Sequence, residues 1–133
     1  LEEVVFADMR HTFHLLENEP RVLELAQVVV QERPQFQIES LRRERRIFQR
    51  ILRDGTQTGE FVLDNITHAT IAVHSATMKY RYTQLFTNQT LEELERELCF
   101  VLTLLVRGLT NPVDQEALPH TLVPLEVSFK KAV

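Results

Sequence analysis

The chain has no tryptophan, a single cysteine, three glycines and five prolines in 133 residues. One thiol, Cys99, excludes an internal disulfide and a thiolate metal cluster, and makes a reducing cytoplasm the expected setting. So little glycine and proline argues against disorder and against a strand-and-turn architecture. Gly55, Gly59 and Gly108 are too few for a phosphate-cradling loop or a dinucleotide fingerprint, so no cofactor is expected. No apolar run reaches the ~20 residues of a membrane span, because the runs at 28–30 and 101–106 are both flanked by charges. Leu1, Glu2 and Glu3 lack the basic start and apolar middle of a secretion signal, and the missing Met gives the expectation of a fragment. The net charge of -4 offers no overall attraction to phosphate.

What is present is an ordinary globular balance, 44% hydrophobic and 26% charged, in a length suited to one domain. Apolar spacings of three and four predict a first helix over 1–18, with Val5, Phe6, Met9, Phe13 and Leu16 on one side. Asn18 and Pro20 separate it from a second helix over 20–32, apolar nearly all the way round and therefore expected at the centre. Pro34 starts a third, over 35–53, expected to end at Asp54-Gly55. Asp64 is the expected cap of a fourth over 65–86, and Thr90 with Glu93 has the capping-box spacing of a fifth, expected to end at Gly108. The reading is all-α: an antiparallel bundle of about five helices over 1–112, with an irregular C-terminal arm at 113–133 packed on the bundle or on a partner.

Candidate chemistry is sparse. Asp8, His11 and His14 share one face of the first helix, but solvated polar residues explain the same letters, and no Glu-x-x-His motif accompanies them, so no metal is expected. His68 and His74 point in different directions; His74 either donates a hydrogen bond inside a cavity or is satisfied by backbone. Ser75, Thr77, Tyr80 and Tyr82 are in no nucleophile elbow and beside no evident base, so no enzyme is expected. The arginines at 42, 43, 45, 46, 50 and 53 form the only basic concentration, and Glu39, Glu44 and Asp54 are within reach along the helix, so a solvated face is the favoured reading.

The remaining feature is an excess of large apolar side chains. Phe6, Met9, Phe13, Phe48, Ile51, Ile71 and Met78 either pack together or line a cavity for an apolar ligand, with His74 nearby. A second excess on the last two helices, strongest in Leu91, Leu94, Leu98, Val101, Leu102 and Leu105, calls for a partner subunit.

The stretch Gly55-Thr56-Gln57-Thr58-Gly59-Glu60-Phe61, entered through Ile47 to Asp54 and followed by Asp64 and the small Ala69, resembles a recurrent stretch of TetR-family transcriptional regulators. The segment Leu104 to Leu109 is similar to the end of the family's last helix. The resemblance spans residues 1 to 109 and is to the C-terminal effector-binding and dimerisation domain. It implies a repressor that is a homodimer through the last two helices, with Ala69, Val73, Tyr80, Leu94, Leu98, Val101, Leu102 and Leu105 in the interface. It also implies a small apolar effector among the first, third and fourth helices, at Phe6, Met9, Phe13, Phe48, Ile51, Ile71, His74 and Met78. The family's helix-turn-helix reader has no counterpart in these letters, so DNA contact is expected only through a domain elsewhere in the full protein. The alternative is a helical protein-interaction module with no ligand pocket.

Overall fold

Each break in the helical pattern is a single residue or a short turn whose chemistry explains it. The computed structural model describes residues 1–82 and 87–111, seven side chains between positions 20 and 37 excepted, and these residues form five helices. They are α1 (Glu2–Asn18), α2 (Pro20–Glu32), α3 (Pro34–Thr58), α4 (Ile66–Arg81) and α5 (Leu91–Thr110). The expected arm at 113–133, and residues 83–86 of the expected fourth helix, lie outside the described residues.

Proline starts both α2 and α3, because the first helical position needs no amide donor. Two sequence-based boundaries are corrected. The cap of α4 is Asn65, whose side chain accepts from the His68 amide at 3.0 Å, and not Asp64. Gly55 does not end α3, which runs one more turn to Gly59, the residue that takes the left-handed conformation at φ 78°. Gly55 serves a different purpose: a side chain there would overlap the Phe61 ring, whose amide donates to the Gly55 carbonyl at 3.0 Å. At the other end of the bundle, α5 opens with the Thr90–Glu93 capping box and passes Gly108 to finish at Thr110.

The core is built from Val5 and Met9 of α1, Phe48 and Leu52 of α3, Phe61, Val73 and Tyr80 of α4, and Leu94, Leu98, Leu102 and Leu109 of α5. α4 is the central helix: α1, α3 and α5 all pack against it. Its buried Thr70 and Thr77 return their hydroxyls to the carbonyls of Ile66 and Val73 at 2.7 and 2.9 Å, so neither costs an unpaired group. α2, expected at the centre, is instead peripheral. It packs on α1 and α3, and leaves Leu25 63% exposed. Among the described side chains of α2 none is buried in the core. Among the described residues no helix is long and apolar enough to cross a membrane.

Candidate functional site

Among the described residues α1 and α3 both lie against α4 but do not pack on each other. What spans them is Arg81, the last residue of α4. Its Nε donates to Asp8 Oδ2 on α1 at 2.7 Å, and its Nη1 to Glu44 Oε2 on α3 at 2.8 Å. The same Glu44 oxygen meets His74 Nε2 at 3.1 Å, and the His74 side chain is fully buried. Arg45 approaches the other ring nitrogen, Nδ1, at 3.5 Å, the outer limit of a hydrogen bond. An arginine only donates, so Nδ1 accepts and the ring proton is assigned to Nε2, which donates to Glu44. Phe48 closes the junction: its ring meets His74 edge-on at 6.1 Å, and the Arg81 guanidinium lies 5.4 Å from its centroid. Burial first, and the Glu44 carboxylate next, push the Tyr82 phenol above its ordinary value.

The sequence reading identified His74 as a polar point but not its partners, which are side chains and not backbone. Glu44 and Arg45 are read there as part of a solvated charged face, Asp8 as a possible metal ligand, and Arg81 is not singled out. Their contacts span 29 to 73 residues of sequence, so no local spacing signals them. Asp8 is held by Arg81, while His14 faces Glu17 at 3.6 Å, and His68 is exposed on another helix. Among the described residues no group of three or more His, Cys, Asp or Glu could hold a metal.

The eight pocket candidates come from the three helices meeting at this junction. Met9, Phe48 and His74 are sealed at its floor, whereas Phe6, Phe13, Ile51, Ile71 and Met78 are half-buried. Phe6 carries the Arg10 guanidinium 5.4 Å from its centroid.

The eight interface candidates fall differently. Val73, Tyr80, Leu94, Leu98 and Leu102 are buried in the chain's own core. Ala69, Val101 and Leu105 are half-buried against that core. The strongest apolar stripe of a helix goes to its own core; a second, weaker stripe is what faces out. On α5 that outer stripe is Cys99, Phe100, Thr103 and Leu104, with Phe100 69% and Leu104 70% exposed one turn apart. On α4 the exposed positions are Thr67 and His68 in the first turn and the small Ala72, Ser75 and Ala76 further along.

α4 and α5 are fastened by Glu97, which accepts from Lys79 at 2.7 and 2.8 Å, from the Tyr80 hydroxyl at 2.9 Å and from Gln89 at 3.0 Å. The Lys79 hydrogen bonds, followed by those of Gln89 and Tyr80, hold the Glu97 carboxyl down at about 2. Burial, then the bond to Glu97, pushes the Tyr80 phenol up. Arg10 pairs with Glu95, joining α1 to α5.

A model of the family described as tetracyclin repressor-like, C-terminal domain, matches residues 1–101. No curated protein and no solved structure matches the chain. An all-helical architecture whose last two helices are pinned together, and whose first, third and fourth converge on one charged junction, agrees with that match over most of its length: the chain belongs to the family of TetR-like C-terminal domains.

Proposed function

We propose that this domain is the effector-sensing and dimerising part of a TetR-like transcriptional regulator. It binds a small, largely apolar molecule between α1, α3 and α4, and relays it to a DNA-binding domain of the full-length protein. The observation that carries this reading is the arrangement of α1 and α3 on α4, separate from each other and bridged at one end by Arg81. A ligand between them, against Phe13, Ile51, Ile71 and Met78, is bound differently in arrangements that differ in the position of α1. That difference in free energy is what a relay requires. Self-association through the outer faces of α4 and α5 is supported by Phe100 and Leu104, two large apolar side chains left in water one turn apart on α5.

Light scattering on the chain and on a Phe100→Glu/Leu104→Glu variant tests the dimer, and fluorescence of N-phenyl-1-naphthylamine tests the apolar site. The expected outcome is a parent dimer, a helical but monomeric variant, and probe fluorescence in the parent that is lost in Ile71→Asp. A monomeric parent at every concentration would refute the interface. The runner-up, an interaction module without a pocket, is favoured by the sealing of Met9, Phe48 and His74. A dimer that leaves the probe dark would put it ahead.

A further inference from the structure

At 100° per residue, Arg43, Arg46, Arg50 and Arg53 fall within about 80° of the circumference of α3, and all four are exposed. Phe48 and Leu52, the core residues of the same helix, are on its opposite side. The row therefore points away from the bundle, while Arg45 turns toward His74. Among the described residues the four make no ion pair, not even with Glu39 and Asp54, one turn before Arg43 and one turn after Arg50. They stand instead beside one another: Arg46 and Arg50 are four apart, Arg43 and Arg46 three, Arg50 and Arg53 three, and like charges at those spacings repel. α3 carries six arginines against Glu39, Glu44 and Asp54, a balance of +3, while the other 108 residues carry nine Lys and Arg against sixteen acids, a balance of -7. A self-repelling cationic row on an otherwise acidic chain fits an anionic partner.

The chemistry and length of the row select that partner. All six cations of α3 are arginine and none is lysine; the guanidinium fork makes paired N–H bonds to phosphate and carboxylate oxygens. From Arg43 to Arg53 is ten residues, about 15 Å, and over that length one strand of a DNA duplex carries about four phosphates. Four arginines thus meet about four charges. No aromatic side chain stands in the row to stack on bases, so the contact is with the backbone alone and carries no sequence information. The acidic remainder of the chain disfavours approach of DNA by its other faces, which leaves α3 as the side turned toward a duplex.

We propose that Arg43, Arg46, Arg50 and Arg53 form a sequence-independent contact for the phosphate backbone of duplex DNA, separate from the DNA-binding domain of the full-length protein. The contact rests on the regulator reading for the nearness of a duplex: a bound reader raises the effective concentration of backbone around the row. The row is on the helix that supplies Glu44 and Phe48, but on a face used by neither the proposed effector site nor the proposed dimer.

The test is fluorescence anisotropy of a short fluorescein-labelled duplex of arbitrary sequence with the full chain, helicity being checked by circular dichroism. Four phosphate contacts give a slope of about -3.6 in log affinity against log salt, a fall of roughly 150-fold between 50 and 200 mM NaCl. Arg46→Gln with Arg50→Gln should halve the slope, to a fall of about 12-fold, and Arg46→Lys with Arg50→Lys should keep it. Arg96→Gln with Arg107→Gln, which removes the same charge from α5, should also leave the slope unchanged. An absence of binding at 50 mM NaCl, a slope that ignores the row variants, or tighter binding of a poly-glutamate peptide than of the duplex would overturn the proposal, the last by giving the row to an acidic protein. Light scattering and naphthylamine fluorescence do not depend on the row. A chain that dimerises and binds the probe but not DNA therefore refutes this contact alone, and one that binds DNA through the row but does neither supports the contact while refuting the effector-sensing reading.

Discussion

Replacing Arg81 by Met removes the guanidinium but keeps a linear stem beside Phe48, so the loss isolates the charged junction. Arg81 and Glu44 are 12% and 16% exposed, and their contact is 2.8 Å. Breaking a buried ion pair from one side costs about 3–5 kcal/mol, because the abandoned charge stays out of water. Here Glu44 keeps its bond from His74, and Asp8, the more exposed partner, rehydrates, which reduces the expected cost to about 2–3 kcal/mol. With a urea slope of about 1–3 kcal/mol per molar, the unfolding midpoint falls by roughly 0.7–3 M. The comparison is Arg96→Met, which breaks the Arg96–Glu92 pair on α5 at similar length, 2.9 Å, but at 66% and 83% exposure. That variant should lose about 0.5 kcal/mol or less. Both are measured at one protein concentration, since dimerisation would add to apparent stability. If Arg81→Met costs no more than Arg96→Met, the junction is not the tie between α1, α3 and α4 described above.

Two further variants and a titration follow. Gly55→Ala should destabilise by about 1–3 kcal/mol through collision with Phe61, whereas Gly108→Ala, with open space around it inside a helix, should stabilise by about 0.5–1 kcal/mol; thermal melts distinguish the signs. Glu97 has its folded pKa lowered to about 2 from 4.5, so its contribution is present above pH 4.5 and is lost as pH falls toward 2; Glu97→Gln should flatten acid unfolding in that window. Both tyrosines of the chain are raised, so their protonated forms favour the fold at neutral pH and that contribution is lost as pH rises. Ultraviolet titration should show less phenolate near pH 10 than two free tyrosines give, before alkaline unfolding begins.

The helices were legible where their signals are local. Pro20 and Pro34 fix the starts of α2 and α3, and Thr90 with Glu93 fixes that of α5, because each acts within one turn. The end of α3 was not legible: whether Gly55 is a cap or a close-contact site depends on where Phe61 returns after the turn. The pocket candidates were drawn from the helices that converge, since apolar periodicity reports which face is inward. Periodicity does not report whether that inward face meets the chain itself or a second copy. Leu94, Leu98 and Leu102 therefore carry the strongest signal and are buried within this chain, while Phe100 and Leu104 carry the weaker signal and the exposed surface. The junction at Arg81 was invisible because its partners are scattered along the chain and joined only by the packing of α4.

The order of synthesis gives the Arg81 bridge a cost in time. Asp8 precedes Arg81 by 73 residues, which at about 5–20 residues per second is roughly 4–15 s of translation. During that interval α1, α2 and α3 emerge with no side-chain cap at any of their starts, and Leu25 and Phe36 are exposed even in the finished domain. α5, which holds the capping box and the Glu92–Arg96 pair, is made last. The best-encoded helix thus arrives after those that depend on it. Until α4 and α5 are made, the core faces of α1 and α3 in this domain stay open to chaperones and to aggregation.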